Sequence, residues 1–156
     1  MSKRVITLGT WEGKPIEWIV LKEEKGLTLV FCKGAVNRMD CSWNGTSGTW
    51  RDLNIRKWLN NEFYNNAFTD EEKKKIVNSF LKDPESTKDD VFLLSYDEAN
   101  NLMTLDERKQ SYWYLRTPYN SNLSFMKRVR EYGDFDISYS RNYIRPAMYI
   151  KEKIND

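Results

Sequence analysis

Tyrosine, arginine, aspartate and asparagine side chains are concentrated between residues 119 and 142. Tyrosine and arginine contribute much of the binding energy at protein interfaces, and asparagine and aspartate add adaptable hydrogen bonds. The chemistry that this region favours is therefore recognition of a ligand or a partner. The candidate contact residues are Tyr119, Asn120, Asn122, Arg128, Arg130, Tyr132, Asp134, Phe135, Asp136, Tyr139, Arg141 and Asn142.

The chain has few of the groups that catalysis needs. It contains no histidine, which excludes Ser-His-Asp and Cys-His nucleophilic sites and the usual histidine-based zinc and iron sites. Glu17, Glu62 and Asp97 are present, but no spacing pairs two carboxylates for acid–base work. We therefore predict no catalytic residues, no cofactor and no enzymatic activity.

Calcium is the metal ion whose ligands the sequence could supply. Asp134 and Asp136 flank Phe135 and could be joined by Asn142, which would cluster oxygen ligands. The chain lacks a Glu-Pro-Asn or Trp-Asn-Asp type motif, so we predict no metal site.

Composition places the chain among soluble globular proteins. It has 156 residues, of which 31% are charged and 40% are apolar, and we expect one domain spanning residues 1–156. No apolar run reaches the length of about 18 residues that a transmembrane helix needs, so we expect no membrane association. A net charge of +2 disfavours nucleic acid as a partner.

The two cysteines bear on the cellular compartment. Cys32 lies in an apolar, strand-like run and Cys41 in a polar loop. The first residues, Met1–Val5, lack the apolar stretch of a secretory signal, which predicts a cytoplasmic location if the sequence is complete. Cytosolic thiols stay reduced, so we predict two free cysteines, while a disulfide between them remains an open alternative.

The first third of the chain has the patterns of strands. We predict strands at Arg4–Leu8, Pro15–Leu21 and Leu27–Lys33, each rich in apolar or β-branched residues. The polar residues Glu23–Gly26 separate the last two, which predicts an antiparallel hairpin.

Helix signals follow. An apolar stripe precedes a capping box at Thr69–Glu72, and the helix that this box starts is predicted to continue through Leu81. Residues 83–89 are predicted to be a polar linker, and Asp90–Ser95 a short buried strand. A second capping box at Ser95–Glu98 opens a short helix, whereas Leu105–Gln110 is ambiguous between helix and loop. The stripe consists of Ile55, Trp58, Leu59 and Phe63.

The last third of the chain is predicted to be a meander of strands. The strands are Tyr112–Thr117, Phe125–Arg130, Phe135–Tyr139 and a closing strand, Tyr143–Ile150, with Pro146 at an edge or a bulge. Helices that come early and strands that come late indicate an α+β class, with an antiparallel sheet and two to three helices in the N-terminal half.

Two arginines lie inside the flanking strands of this region. Arg116 and Arg145 could clamp a ligand anion, but their positions favour a structural role, with the stem packed on aromatic rings and the guanidinium bonded to loop carbonyls or an acid. Trp58 and Trp113 are likewise predicted to be core residues. In the predicted strand Phe125–Arg130, successive side chains point to opposite faces of the sheet, so we expect Arg128 and Arg130 to lie on the same face.

Five stretches resemble a bacterial family known as domain of unknown function 6273. Two of them, Tyr112–Pro118 and Ile144–Met148, look like its aromatic-aromatic-Leu-Arg-Ser-Pro and Val-Arg-Pro-Ala-Leu signatures. The remaining stretches are residues 18–21, 56–68 and 91–95. The resemblance runs along nearly the whole chain in the same order.

The resemblance implies a C-type-lectin-like fold in which the last strands display a ligand-binding surface. It implies no activity, because that family is uncharacterised. Relatives carry more glycine, asparagine and serine between the two signatures, whereas this chain has Phe125, Met126, Lys127, Arg128, Arg130 and Phe135. That departure, with the missing signal segment, disfavours an extracellular role in glycan binding.

Two functional hypotheses follow. The first is a non-enzymatic binding module whose C-terminal strands and loops recognise a protein partner or a small polar ligand. The alternative is a phage- or mobile-element-encoded inhibitor or sponge protein that binds a nucleotide-derived anion or a nuclease. It would use the basic residues Lys127, Arg128, Arg130 and Arg141. A purely structural oligomer component is a third possibility.

Overall fold

The computed structural model describes four stretches of the chain, residues 3–42, 49–119, 125–137 and 141–152. Within these stretches the chain forms twelve strands and five short α-helices. The architecture is α+β with mostly antiparallel sheets, as the sequence predicts. Three of the predicted contact residues, Asn120, Asn122 and Tyr139, lie outside the described residues.

One five-stranded sheet, the N-terminal sheet, is antiparallel throughout and has the strand order β1-β2-β3-β12-β5. β12, the last strand described, therefore lies between β3 and β5 in the sheet that also contains the first three strands. Its strands are β1 (Val5–Trp11), β2 (Lys14–Glu24), β3 (Leu27–Cys32), β5 (Ile76–Val77) and β12 (Ala147–Ile150).

The predicted hairpin of β2 and β3 is confirmed. Its two-residue turn consists of Lys25 and Gly26, with φ angles of 54° and 79°. The turn between β1 and β2 has the same form, with Glu12 at 50° and Gly13 at 78°. Two successive residues with positive φ match the right-handed twist of the flanking strands.

The second five-stranded sheet, the C-terminal sheet, has the order β10-β9-β8-β11-β4. β8 and β11 pair in parallel, and the other pairs are antiparallel. Its strands are β4 (Asn37–Met39), β8 (Trp113–Pro118), β9 (Met126–Val129), β10 (Phe135–Ile137) and β11 (Asn142–Ile144).

The predicted closing strand over residues 143–150 is wrong in one respect, because it is two strands in two different sheets. β11 ends at Ile144 and β12 begins at Ala147. Pro146 has no N–H to donate, and its carbonyl accepts a hydrogen bond from the Cys32 N–H at 2.8 Å. Arg145 and Pro146 are therefore the junction at which the chain leaves one sheet and enters the other.

The helices are short, and three of them precede residue 78, in line with the predicted two to three. A π-helical turn, Leu59–Phe63, joins α1 to α2, and together they bury the predicted stripe at Ile55, Leu59 and Phe63. The α-helices are α1 (Asn54–Trp58), α2 (Tyr64–Ala67), α3 (Asp70–Lys73), α4 (Tyr96–Leu102) and α5 (Leu105–Arg108).

Both predicted capping boxes are confirmed, at Thr69 before α3 and at Ser95 before α4. A third box at Thr104 opens α5, in the segment that the sequence leaves ambiguous. The predicted helix through Leu81 is wrong. Ile76 and Val77 pair instead with the end of β12, which offers an unpaired edge to β-branched residues.

The predicted linker over residues 83–89 contains a strand. β7 (Thr87–Asp89) pairs with β6 (Ser79–Leu81) to form a separate hairpin. Asp89 is 1% exposed and accepts hydrogen bonds from the Trp50 indole at 3.0 Å and the Arg56 guanidinium at 2.7 Å. These donors compensate the burial of a carboxylate that the sequence pattern places in solvent.

The predicted strand at residues 90–95 is buried but pairs at only one residue. Phe92 exchanges two backbone hydrogen bonds with Ala147, at 2.7 and 2.9 Å. The residues around it, from Val91 to Leu94, are all buried. The segment therefore fills the core without extending the sheet.

The two sheets share one hydrophobic core. The rings of Phe31 in β3 and Trp113 in β8 are 5.0 Å apart between centroids. Trp113 is fully buried, as predicted, and its indole donates to the Arg108 carbonyl at 3.1 Å. Trp58 is only partly buried and packs at the margin of this core. In the described part of the chain, no helix has the length and apolar character needed to cross a membrane.

The difference between the two tryptophans is testable. We expect Trp113→Ala to lower the free energy of unfolding by about 3–5 kcal/mol, because it empties a fully buried site between the sheets. Trp58→Ala should cost roughly half of that or less, since part of its surface remains in water. Urea unfolding monitored by circular dichroism measures both values. Equal costs would contradict the described difference in burial.

Candidate functional site

Arg145 lies at the junction between the sheets and is 2% exposed. Its guanidinium donates to the backbone carbonyls of Cys32 at 3.3 Å and Lys33 at 3.1 Å. The guanidinium carbon lies 4.3 Å from the Phe31 ring centre and 4.8 Å from that of Trp113. Burial lowers the pKa of Arg145 to about 10, so the side chain stays charged at neutral pH. The structural interpretation of this arginine is confirmed.

Arg116 is 3% exposed and ties a loop and a helix to β8. It donates to the carbonyls of Asp83 at 2.6 Å and Leu93 at 2.8 Å, and to the Glu98 carboxylate at 2.6 Å. The guanidinium lies 5.5 Å from the Phe92 ring centre. This is again the predicted structural role, with carbonyls, an acid and an aromatic ring as partners.

Arg108 is a third buried arginine, at 8% exposure, and the sequence pattern does not single it out. It donates to the carbonyls of Ala99 at 3.3 Å, Met103 at 2.8 Å and Gly133 at 2.8 Å. Its guanidinium lies 4.9 Å from the Phe135 ring centre. Arg108 therefore fixes the β9–β10 turn to the two helices before β8.

Gly133 is the residue on which this turn depends. Its φ of 91° lies in the region that favours glycine, and a Cβ there would come within 2.6 Å of the Leu105 carbonyl oxygen. The Gly133 N–H donates to the Arg130 carbonyl at 2.8 Å, and the Arg130 N–H donates to the Asp134 carbonyl at 2.7 Å. The turn is therefore held directly against α5.

Arg128, a predicted contact residue, already has several partners. Its guanidinium donates to the Asp136 carboxylate at 2.7 and 3.4 Å and to the Asn142 side-chain oxygen at 2.9 Å. It also stacks on Tyr112, 4.3 Å from the ring centre. The Arg128 side chain is 13% exposed, and Asn142 is 1% exposed. Most of this network is inaccessible to a ligand, which could contact only its exposed edge.

The β9–β10 turn is the more open part of the predicted set. Arg130, whose side chain is 37% exposed, forms an ion pair with Asp134 at 3.2 Å and approaches Asp136 at 3.9 Å. Its guanidinium also lies 5.7 Å from the Tyr132 ring centre. Tyr132 itself is 61% exposed. The turn therefore presents an aromatic ring beside a paired charge.

Arg141 contacts the opposite edge of the C-terminal sheet. It donates to the Arg38 carbonyl at 3.0 Å, and the Arg38 side chain donates back to the Arg141 carbonyl at 3.4 Å. Arg38 also lies 5.3 Å from the Tyr143 ring centre. This reciprocal pair joins β4 to β11, so Arg141 is separated from the β9–β10 turn by the width of the sheet.

Lys127 lies on the other face of β9, between aromatic rings. Its ammonium is 5.0 Å from the ring centre of Tyr96, in α4, and 5.8 Å from that of Tyr119. Tyr96 in turn packs against Phe135 with the ring centres 4.7 Å apart. Among the described residues, Lys127 has no carboxylate partner, so its three N–H donors remain available.

The nine predicted contact residues that the structure describes are therefore not on one surface. Cross-strand pairing puts Arg128 and Asp136 on one face of the C-terminal sheet, while Phe135 pairs with Val129 on the other. Sequence reasoning missed Tyr96 as a neighbour of this set, because it belongs to a helix 31 residues before Lys127 along the chain. No local pattern connects the two positions.

The acidic and thiol groups near this region can be described one by one. The Asp134 and Asp136 carboxylates each accept from an arginine. Cys32 and Cys41 do not form a disulfide, and burial raises the pKa of Cys32 to about 11. Within the described stretches, no group of three or more cysteine, aspartate or glutamate side chains is placed to hold a metal ion.

Comparisons with known proteins agree with the sequence resemblance. A family model described as "Domain of unknown function (DUF6273)" matches residues 25–152. The match begins in the turn between β2 and β3 and ends just after β12. Comparisons with curated proteins and with solved structures gave no match.

A pair of glycine substitutions tests how the turn is held. Gly26→Ala should cost roughly 1 kcal/mol of unfolding free energy, because its φ is positive but no atom lies within 4 Å of the added Cβ. Gly133→Ala should cost on the order of 1–3 kcal/mol more, because the Cβ would overlap the Leu105 carbonyl. Urea denaturation compares the two variants. Similar costs would show that the turn can move away from α5.

Proposed function

This chain belongs to the DUF6273 family, and we propose that it is a non-enzymatic binding module that recognises a protein partner. The contact surface is the recognition edge, which we define as Leu105, Tyr119, Lys127 and Tyr132. The proposal keeps binding at the C-terminal strands, retains Tyr119 and Tyr132 from the predicted contact residues, and adds Leu105 and Lys127. A small polar ligand at the same edge is the other outcome that the experiment below distinguishes.

The observation that carries the proposal is the location of exposed apolar groups. Among the described residues, three of the five exposed large apolar side chains belong to the recognition edge, with exposures of 50%, 42% and 61% for Leu105, Tyr119 and Tyr132. Leu105 lies against the turn that carries Tyr132, because Gly133, the next residue, packs directly on Leu105. Exposed apolar groups that are clustered in this way are typical of interaction sites.

The spacing of the two tyrosines suits a protein interface. Tyr119 bonds to Phe125 just before β9, and Tyr132 lies in the turn after it, so at roughly 3.3 Å per residue the two are separated by about 16–20 Å along the strand. A standard interface buries about 800 Å² on each partner, which comfortably includes both rings. Because Tyr119, Lys127 and Tyr132 lie on a hydrogen-bonded sheet and its turn, little ordering entropy opposes binding.

Lys127 indicates the kind of partner group that fits. Its ammonium already lies on the Tyr96 and Tyr119 rings and keeps its hydrogen-bond donors free. A partner carboxylate could bond to it while apolar atoms of the partner cover Tyr119. The preferred partner segment is therefore apolar with at least one acidic side chain.

The alternative function, binding of a nucleotide-derived anion or a nuclease, has less support in this geometry. It requires free cations, yet Arg128 and Arg130 are paired with Asp136 and Asp134. Arg141 donates to a backbone carbonyl on the other side of the sheet. Of the four basic residues in this hypothesis, Lys127 alone is left for phosphate, whereas phosphate recognition usually combines several donors.

The fold proposal accompanies the functional one. We assign the chain to the C-type-lectin-like class, as the family resemblance implies. Two features support this assignment. Among the described strands, β8 to β11 lie together in one sheet, joined only by β4 from the N-terminal part of the chain, and the β8–β9 and β9–β10 connections carry the exposed tyrosines. Superposition of an experimental structure on C-type-lectin-like domains would test it.

The function is tested by affinity capture from the native host, followed by mass spectrometry. The double variant Tyr119→Ala with Tyr132→Ala should lower the recovery of a captured protein by roughly tenfold or more, because exposed tyrosines often carry much of an interface's binding energy. Phe80→Ala is the matched control, since Phe80 is 56% exposed on the separate β6–β7 hairpin. The melting temperatures of all variants should stay close to that of the parent chain.

Equal recovery with the double variant would contradict the proposal, as would an equal loss with Phe80→Ala. Retention of a small molecule in place of a protein would favour the polar-ligand outcome. Competition by a mononucleotide, together with a steep loss of affinity as salt rises, would favour the anion-binding alternative.

A further inference from the structure

A cleft separates the β1–β2 hairpin from the loop that follows β3. It has a volume of about 480 Å³, which lies within the range of small-molecule sites of about 300–1,000 Å³. It is distant in sequence from the recognition edge, and none of its lining residues belongs to that edge. The lining side chains that matter here are Trp11, Glu12, Lys14, Glu17, Lys33 and Gln110.

The walls of this hairpin cleft are held in place by hydrogen bonds. The Trp11 indole N–H spans it and donates to the Val36 carbonyl at 2.8 Å. The Lys33 N–H donates to the Glu17 carbonyl at 3.0 Å. The guanidinium of buried Arg145 donates to the Lys33 carbonyl at 3.1 Å. The shape of the cleft is therefore largely set before a ligand arrives, which reduces the entropic cost of binding.

The charged groups of the cleft are balanced in sign. Glu12 and Glu17 carry negative charge, and Lys14 and Lys33 carry positive charge. Across the described stretches, none of these four side chains forms a salt bridge or hydrogen bond with another residue. Elsewhere on the surface, exposed charges such as Arg4 pair with Glu23 and Glu152.

Two further side chains complete the site. Trp11 is packed edge-on against Trp58, with the ring centroids 5.6 Å apart, so one aromatic wall is rigid. The Gln110 amide nitrogen donates to the Lys33 carbonyl at 3.0 Å, which orients the amide and leaves its oxygen as an acceptor. Aromatic and amide groups complement the aliphatic and polar parts of a small molecule.

We propose that the hairpin cleft binds a small zwitterion of the amino-acid or short-peptide class. A purely anionic or cationic ligand would meet two charges of its own sign, because the four charged side chains cancel. A molecule with one ammonium and one carboxylate can place each beside the opposite charge. Its side chain would then lie against Trp11.

The cleft is partly outside the family match. Its hairpin wall, from Trp11 to Glu17, precedes residue 25, where the match begins, whereas Lys33 and Gln110 fall within it. The opposing wall therefore lies within the matched residues, and the hairpin wall lies before them.

Titration of the ¹⁵N-labelled full chain, followed by NMR, tests the proposal. The probes are L-leucine, glycylleucine and glycylglycylleucine, which separate a preference for amino acids from one for peptides. At least one should give saturable shifts at the Trp11 indole N–H and at the amides of Glu12, Lys33 and Gln110. N-acetyl-L-leucine and L-leucine amide, which each lack one charge, should bind roughly tenfold more weakly or worse.

Charge variants test the role of the named groups. Glu17→Gln and Lys33→Gln should each weaken binding roughly tenfold. Lys57→Gln and Glu131→Gln make the same changes in net charge on exposed positions away from the cleft, and should alter affinity by less than about twofold. The exchange variant that combines Glu17→Lys with Lys33→Glu should recover binding that either single reversal loses.

Three results would overturn the proposal. They are the absence of saturable shifts with every probe, equal affinity for the charge-blocked analogues, and shifts that map to β8–β10 instead of the cleft. The test is independent of the recognition edge, because Tyr119→Ala with Tyr132→Ala should leave zwitterion binding unchanged. Failure of one proposal is therefore distinguishable from failure of the other.

Discussion

Buried guanidinium groups that donate to backbone carbonyls are the interaction on which this structure depends. Transferring a charge into a protein interior is unfavourable unless hydrogen bonds replace its hydration. Arg108, Arg116 and Arg145 together form seven bonds to backbone carbonyls and one to Glu98. Arg145 meets the requirement only in part, because its buried Nη1 has no hydrogen-bond partner among the described residues. Each of the three guanidinium groups also lies on an aromatic ring. The planar guanidinium spreads its donors over three nitrogens in a fixed geometry, so it can join loops that share no secondary structure, whereas a lysine presents its donors from one nitrogen.

The junction at Arg145 and Pro146 shows how this interaction organises the fold. The chain leaves the C-terminal sheet after Ile144 and enters the N-terminal sheet at Ala147. Between them Arg145 donates to the loop after β3, and the Pro146 carbonyl accepts from Cys32. Hydrogen bonds therefore fix the point at which the chain passes from one sheet to the other. Their acceptor residues Cys32 and Lys33 also line the hairpin cleft.

The predicted contact surface differs from the observed one because an arginine assigned to ligand binding is already bonded within the protein. Arg128 looks like a recognition residue by type, but Asp136, Asn142 and Tyr112 already occupy its guanidinium. In the described part of the proposed recognition edge, the side chains left open are two tyrosines, a leucine and Lys127. The recognition that we propose would therefore depend on aromatic contact and one ammonium.

Much of the local structure could be predicted from the sequence. The β2–β3 hairpin and the capping boxes at Thr69 and Ser95 involve residues close together along the chain, so their patterns are visible in it. The family, the α+β class and the structural roles of Arg116 and Arg145 were also predictable, because the signature residues surround those arginines with apolar neighbours.

Tertiary structure alone decided the rest. Ile76 and Val77 fit a helix by spacing, but β12 offered them an edge, so long-range pairing overrode local propensity. The division of the last strands between two sheets, and of the contact residues between two faces, depends on which distant strands pair. The burial of Asp89 depends on donors that lie more than 30 residues away. Such choices follow from the packing of the whole chain, which no short stretch of sequence contains.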